Sequence, residues 1–268
     1  MAIENTSKTT LNTENQFIDE RDDRRNVIFL FDVDGTLTPS RKFISKSMAD
    51  LLASLKKKVY LGFVGGSDIS KQKEQLKDEI DLFDFSFPEN GVLFYRNGKL
   101  IRESSLVQKF GEELYQKIIN FSLRHLSEIK LPKKRGNFIE CRKGVLNICP
   151  IGRDCTDEER KEFYEFDKKE GIRLKMVKEL EKEFGEYNIH FSIGGQISID
   201  CFPKGWDKTY CLQYLEGFKV YFFGDMVEKG GNDHEIFIDE RVTGIRVYNP
   251  EDTEIKIKEV LQKEGFEL

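Results

Sequence analysis

Asp32 and Asp34, followed by Gly35 and Thr36, stand directly behind the apolar run Val27-Ile28-Phe29-Leu30-Phe31. Five consecutive apolar, β-favouring residues predict a strand buried on both faces. Side chains alternate along an extended chain, so the two carboxylates are expected to leave the strand end on the same side. Such a pair suits a hard cation and an anionic substrate. Gly35 permits a sharp departure of the chain and close approach of its backbone to a ligand. Taken alone, aspartates at a strand exit are also ordinary turn residues.

Three further polar motifs change that balance. Ser67 follows the apolar run at 59–64 through Gly65-Gly66, and Lys208 opens a helical stretch at 207–214. Asp225 ends the run at 220–223, with Asn232-Asp233 following through Gly230-Gly231. In an open parallel sheet, ligands bind outside the carboxyl ends of the strands, which is where these residues fall. Asp32 and Asp225 are oxygen ligands of the kind magnesium takes, with substrate phosphate completing the set. Lys208 and the Ser67 hydroxyl are suited to holding equatorial phosphoryl oxygens as charge builds. Asp32 would attack phosphorus to give an aspartyl phosphate, and Asp34 would move the proton on or off the acceptor oxygen. Singly, each residue has a plainer role. Ser67 and Asp233 fit helix caps, and Lys208 fits a solvated surface lysine.

The elements that must position these groups read as follows. Strands are predicted at 27–32, 59–64 and 83–87, with amphipathic helices at 45–57 and from about 69. A hairpin at 91–95 and 99–102 turns at Arg96-Asn97-Gly98. This βαβα order predicts a parallel sheet with helices on its faces. The middle differs: a long helix at 106–129, a hairpin at 138–142 and 145–149, a capping box Thr156-Asp157-Glu158-Glu159 opening a charged helix to about 184, then strands at 189–193 and 196–202. Hairpins beside helices predict an antiparallel sheet, hence α+β. The last third returns to the first pattern, with strands at 220–223 and 245–247 and a helix at 251–263. The expected fold class is therefore α/β, a parallel-sheet core built from both chain ends (26–102 and 206–268) with an inserted α+β domain at 103–205. Residues 1–25 read as a disordered polar leader, with both charge signs and no apolar stretch.

Bulk composition narrows the function classes. A net charge of −5 gives no electrostatic reason to expect nucleic acid or an acidic membrane as partner. No apolar run approaches membrane-spanning length. The five cysteines form no CxxC pair and read as reduced thiols. The three histidines are far apart in sequence, which argues against a zinc site, and His125 falls on the apolar stripe of its helix.

The ordered set Asp-x-Asp-Gly-Thr, Gly-Gly-Ser, Lys208, Gly-Asp and Asn-Asp resembles the haloacid-dehalogenase superfamily of phosphoryl-transfer enzymes. More narrowly, the chain resembles the eukaryotic phosphomannomutases. The stretches that carry this are Phe31-Asp-Val-Asp-Gly-Thr-Leu-Thr-Pro39, Val64-Gly-Gly-Ser-Asp68, Phe87-Pro-Glu-Asn-Gly91, Leu131-Pro-Lys-Lys-Arg-Gly136 and Pro150-Ile-Gly-Arg153. Phe191-Ser-Ile-Gly-Gly-Gln-Ile-Ser198, Gly205-Trp-Asp-Lys208 and Gly230-Gly-Asn-Asp-His-Glu-Ile-Phe237 continue it. The match runs from about Arg25 to the end. It departs at Met226-Val227-Glu228-Lys229 and at Val242, where a threonine is frequent.

The resemblance implies a Rossmann-like core of haloacid-dehalogenase type with an α+β cap. It implies Asp32 as nucleophile and magnesium ligand, Asp34 as general acid/base with its carbonyl on the metal, and Asp225 as the third metal carboxylate. Arg41 would bind substrate from the core. Arg142, Arg153 and Arg160 of the cap would hold the phosphate not being transferred, and Ser198 and Asp200 would bind the sugar phosphate. A second cation site is implied near Phe237, Asp239 and Val242. The implied reaction interconverts α-D-mannose 1-phosphate and D-mannose 6-phosphate, primed by a hexose 1,6-bisphosphate, in a cytoplasmic homodimer joined through its caps that feeds GDP-mannose synthesis. The residues speak to the cap on their own account: a mutase grips one phosphate while transferring the other, and arginine makes forked contacts to phosphate. For Arg160 an ion pair with Asp157 is an equally good reading of the sequence alone.

Overall fold

The computed structural model describes residues 26–40 and 42–266. The leader and Arg41 lie outside the described residues. The larger of two sheets has seven strands in the order β11-β10-β1-β2-β3-β4-β5. Here β1 is Val27–Phe31, β2 Tyr60–Val64, β3 Phe85–Phe87, β4 Leu93–Arg96, β5 Lys99–Glu103, β10 Lys219–Gly224 and β11 Val242–Arg246. β11, β10, β1, β2 and β3 pair in parallel, and β3, β4 and β5 continue antiparallel.

Every residue of β1 and β2 is buried, because helices cover both faces. Alternate residues enter opposite cores. Phe29 and Phe31 pack with Phe63, Tyr221 and Phe223 under α1 (Lys46–Leu55) and α8 (Pro250–Lys263). Ile28 and Leu30 join Tyr60, Phe85, Phe87 and Phe222 on the other side. Both helices are closed at their starts. Ser45 accepts from the Met48 N–H and Asn249 from the Asp252 N–H.

The second sheet is antiparallel, in the order β6-β7-β9-β8, with β6 Ile139–Cys141, β7 Leu146–Ile148, β8 Ile189–Gly194 and β9 Ser198–Pro203. Leu146, Ile148, Ile199 and Cys201 face a core made with α4 (Glu112–Glu128) and α6 (Ile172–Phe184). The expected class, a Rossmann-like parallel core with an inserted α+β unit, is the architecture observed.

Several elements differ from expectation. The single helix at 106–129 is two, α3 (Leu106–Phe110) and α4, parted at Gly111. Its backbone, φ 77° and ψ 155°, is a conformation essentially reserved for glycine. The charged helix to 184 is likewise two, α5 (Asp157–Glu170) and α6, parted at the left-handed Gly171, and the Thr156 capping box opens the first. The stretch at 207–214 is a 3₁₀ helix, Lys208–Tyr214. β11 starts three residues before the apolar run that announced it, because its ladder to β10 sets its length. His125 is half-buried, its ring stacked 6.3 Å from that of Phe121.

Candidate active site

The carboxyl ends of β1, β2 and β10 share one edge, since the strands run parallel in register Phe31↔Phe63 and Phe31↔Phe223. Asp32 follows β1 and its N–H donates to the Phe223 carbonyl (2.9 Å), which sets it beside the end of β10. Asp225 follows β10. Lys208 enters from the first position of its 3₁₀ helix, which Asp207 caps by accepting from the Thr209 N–H. Far from being a solvated lysine, it is 1% exposed. Its ammonium donates to Asp32 Oδ1 and, at 2.5 Å, to Asp233 Oδ1. Asp233 Oδ2 accepts from the Met226 N–H (3.0 Å). Asp233 stands at the start of α7 (His234–Phe237), but its side chain makes no capping bond.

Carboxylate oxygens of Asp32, Asp225 and Asp233 all lie within 4.8 Å of one another. Burial lifts the Asp32 carboxyl to about 7. The charge of Asp233 adds to this, while Lys208 pulls the other way. Burial and the charge of Asp233 raise Asp225 as well. Burial works to lower Lys208, yet Asp32 and Asp233 outweigh it, and the ammonium keeps its proton. One ammonium among three carboxylates leaves negative charge unbalanced, and Asp225 Oδ1 is buried with no hydrogen-bond partner. Oxygen donors, unbalanced charge and an orphaned buried oxygen fit a hard divalent cation such as magnesium. Gly35, at φ +83°, is what lets the turn pass: a Cβ there would lie 2.3 Å from Asp225 Oδ2.

Asp34 takes different partners. β1 ends at Phe31 and the chain turns, so strand alternation no longer governs Asp32 and Asp34. α2 (Ile69–Leu76) holds Asp34 by two residues one turn apart. Gln75 Nε2 donates to Oδ1 (2.9 Å), and the Lys71 ammonium lies 3.6 Å from Oδ2. Lys71 also donates to Ser67 Oγ (3.0 Å). The cap of α2 is Asp68, not Ser67.

Across the cleft, β-sheet register builds a polar row. Glu140 pairs with Asn147, Asn147 with Asp200, and Asp200 with Ser192. Asn147 Nδ2 donates to Asp200 Oδ1 (2.5 Å). Arg142 and Arg153 both reach Glu140 Oε2, at 2.9 and 2.7 Å, and Arg153 also donates to Asn147 Oδ1 (2.6 Å). Burial raises the Asp200 carboxyl, against the Asn147 bond and the two arginines. Ser198 donates to the Gly194 carbonyl (3.0 Å). Arg160 does not join the Glu140 group. Among the described residues it makes no ion pair with Asp157, and its Nε is buried without a partner.

Between the two sides runs a cleft of about 710 Å³, lined by Gly66 and Lys208 below and by Arg142, Asp200 and His190 above. The residues expected to form a second cation site present a less open ligand set. Both carboxylate oxygens of Asp239 accept from Arg241 (2.8 and 2.7 Å), which holds the carboxyl below its usual range. The Val242 N–H donates to the Asp239 carbonyl (3.1 Å), and the Phe237 carbonyl lies 2.5 Å from where a Cβ on Gly244 would sit.

Sequence reading missed Lys71, Gln75, Glu140 and Asn147 as parts of these networks, and it placed Asp233 in the site's motif set without its bond to Lys208. Helical spacing from Ser67 points to Lys71, and period two from Arg142 points to Glu140.

Residues 48–263 match the family model described as eukaryotic phosphomannomutase. The chain is 56% identical over 243 residues to a phosphomannomutase of Encephalitozoon cuniculi, covering 89% of this chain and 95% of that protein. It is 54% identical over 235 residues to one of Saccharomyces cerevisiae, covering 86% and 92%. In fold it is similar to a haloacid dehalogenase-like hydrolase from Bacteroides thetaiotaomicron, with TM-score 0.56 at 16% identity over 87% of this chain and 99% of that one. An IMP-bound Plasmodium falciparum IMP-nucleotidase gives TM-score 0.57 at 16% identity over 88% and 68%.

Proposed function

The chain belongs to the eukaryotic phosphomannomutases, isomerases that act by phosphoryl transfer, and from that premise we propose how its own residues carry the reaction. Asp32 is the nucleophile. Lys208 orients it, and a lysine's three donors leave one for a phosphoryl oxygen beyond the two taken by Asp32 and Asp233. Ser67 binds a second phosphoryl oxygen. Asp34 takes the proton from, or returns it to, the sugar hydroxyl. Arg142, Arg153 and Arg160 grip the other phosphate, and Ser198, Asp200 and Arg41 complete the substrate contacts. Magnesium held by Asp32, Asp225 and the Asp34 carbonyl would neutralise charge between a carboxylate and a phosphoryl dianion. A further cation near Phe237, Asp239 and Val242 would be structural.

In the proposed cycle, the phosphoryl group of phosphorylated Asp32 passes to mannose 1-phosphate or mannose 6-phosphate. The resulting hexose 1,6-bisphosphate turns in the cleft, and its other phosphate returns to Asp32. A bisphosphate primes the free enzyme. We place the chain's division at 26–102, 103–205 and 206–268, because β5 ends at Glu103 and β9 at Pro203, and these belong to different sheets. Residues 103–105 and 203–205 are then the hinges of cap closure, which excludes water from the aspartyl phosphate. Cap-joined homodimers and a role in supplying GDP-mannose rest on the family. A cytoplasmic setting is supported by five unpaired thiols. No helix among the described residues is long and apolar enough to cross a membrane.

The observation that carries the reading is Lys208 clamped between Asp32 and Asp233 beside the orphaned Asp225 oxygen, with Lys208 and Arg142 lining one cleft. The test supplies mannose 1-phosphate with magnesium and a hexose 1,6-bisphosphate and follows mannose 6-phosphate and free phosphate together. A phosphorylated peptide containing Asp32 supports the covalent step. Phosphate release outrunning isomerisation would make the protein a phosphatase on the same scaffold.

A further inference from the structure

The turn Pro88-Glu89-Asn90-Gly91 takes no part in the mechanism above, yet its geometry is costly. Glu89 (φ 48°, ψ 45°) and Asn90 (φ 61°, ψ 21°) are consecutive left-handed residues, and neither is glycine. Asparagine tolerates that region, whereas glutamate has no local side-chain bond to favour it. Such strain persists only where the surroundings over-determine it.

The surroundings are three. The Glu89 N–H donates to the Ser67 carbonyl (3.0 Å), and the Asn90 N–H to the Gly65 carbonyl (3.0 Å), so the turn holds the phosphate-binding loop from behind. Glu89, 8% exposed, reaches the other way. Its Oε2 accepts from the Gly144 N–H at 2.8 Å, in a buried contact. Gly144 lies in the β6–β7 turn, two residues after Arg142. Asn90 Nδ2 donates to the Trp206 carbonyl (3.5 Å), beside the second hinge. The same β6–β7 turn is tied to the first hinge, through the Leu106 N–H on the Lys143 carbonyl (2.9 Å) and the Lys143–Glu103 ion pair.

We propose that Glu89 is a positioning residue of the isomerase: its carboxylate registers the cap turn carrying Arg142 against the core loop carrying Ser67, and so sets the span across which the sugar bisphosphate must turn. This rests on the functional reading above. Glu89 touches neither reacting atom. It acts through Gly144 and Ser67, next to the hinges, where a contact survives rotation of the cap. Only an oxygen acceptor is needed opposite the Gly144 N–H, so the amide of glutamine can serve in its place.

Wild type, Glu89→Ala and Glu89→Gln are assayed on mannose 1-phosphate with magnesium and glucose 1,6-bisphosphate, following mannose 6-phosphate and inorganic phosphate in one reaction. For Glu89→Ala, isomerisation should fall about ten- to a hundredfold, and phosphate released per isomerisation should rise, because a mis-registered cap lets water reach and hydrolyse the aspartyl phosphate. Glu89→Gln should restore both to within about threefold of wild type. A structural defect alone lowers the two products in step. An unchanged ratio in Glu89→Ala, or a Glu89→Gln as impaired as Glu89→Ala, overturns the proposal. Failure of the functional reading is separate and shows in the wild type, as phosphate without isomerisation.

Discussion

Replacing Lys208 with methionine keeps an unbranched stem and removes the charge. Lys208 is 1% exposed, Asp32 is 4% and Asp233 is fully buried. Each charge-assisted hydrogen bond is worth about 1.5–3 kcal/mol, so losing two costs about 3–6 kcal/mol. Breaking a buried ion pair from one side independently suggests about 3–5 kcal/mol. The two figures agree because the penalty is the same one, carboxylates left buried without a counter-charge. Part of it is relieved by protonation. Asp32 already titrates near 7 with Lys208 present, and removing the cation raises it further. A carboxyl whose folded pKa exceeds its unfolded value binds more protons folded than unfolded, so stability falls as pH rises from about 4 through the folded pKa. The variant should therefore be weaker at pH 8 than at pH 5.5. Urea unfolding in chelator at both pH values measures this. Adding Asp233→Asn to Lys208→Met should return about 1–3 kcal/mol, while isomerisation stays about 10²–10³-fold down. Strictly additive penalties, or a variant as stable at pH 8 as at pH 5.5, would refute the argument that one ammonium holds these carboxylates together.

Asp32→Asn should lower isomerisation by at least about 10³-fold and abolish the phosphopeptide seen by mass spectrometry, without lowering the melting temperature in chelator, since a buried charge has been removed. Gly111→Ala should cost about 1–3 kcal/mol in urea unfolding from backbone conformation alone, because a Cβ there meets nothing within 4 Å; an unchanged midpoint would mean that α3 and α4 can be rejoined freely. Alkylation at pH 8 should label the exposed Cys141 first by intact mass, since Cys201 and Cys211 are buried with raised thiol pKa values and burial lifts Cys149 to about 11.

The parallel core sheet was legible because it follows from local signals. A five-residue apolar run ending in Asp32 can only be a covered strand, and alternation of strand and helix at both chain ends closes the same sheet. Capping residues marked the helix starts at Ser45 and Thr156 for the same reason, since a side chain bonds a backbone N–H three residues on, whereas for α2 the sequence offered Ser67 and the cap is its neighbour Asp68. What escaped depends on contacts between segments. The apolar stripe from Leu106 to Ile129 continues through Gly111, so periodicity does not register the break. The motif order places Lys208 at the phosphoryl group, but its burial between two carboxylates shows only once Asp32, 176 residues away, is beside it. Asp233 sits where caps sit, and only its bond to Lys208 reveals another use. Glu140 is paired to arginine by strand geometry, and the sequence states the spacing but not which carboxylate the arginines choose.

The two sides of the cleft have the same electrostatic form. Below, Lys208 is held by Asp32 and Asp233; above, Arg142 and Arg153 are held by Glu140, with Asp200 tied into the row through Asn147. Every one of these cations already has an internal anion. A phosphate that engages Arg142 and Arg153 competes with Glu140, and binding is an exchange of one anion for another rather than the neutralisation of a bare charge. Such an exchange lowers affinity for either phosphate taken singly, since the lost ion pair offsets the gained one. It also keeps the guanidinium groups ordered, so little side-chain entropy remains to be lost when a ligand binds. For an enzyme whose proposed intermediate must let go of both phosphates and turn within about 710 Å³, tight grips on either end would be a hindrance. Moderated grips at a fixed spacing, with water kept out, are what distinguishes turning the bisphosphate from hydrolysing it.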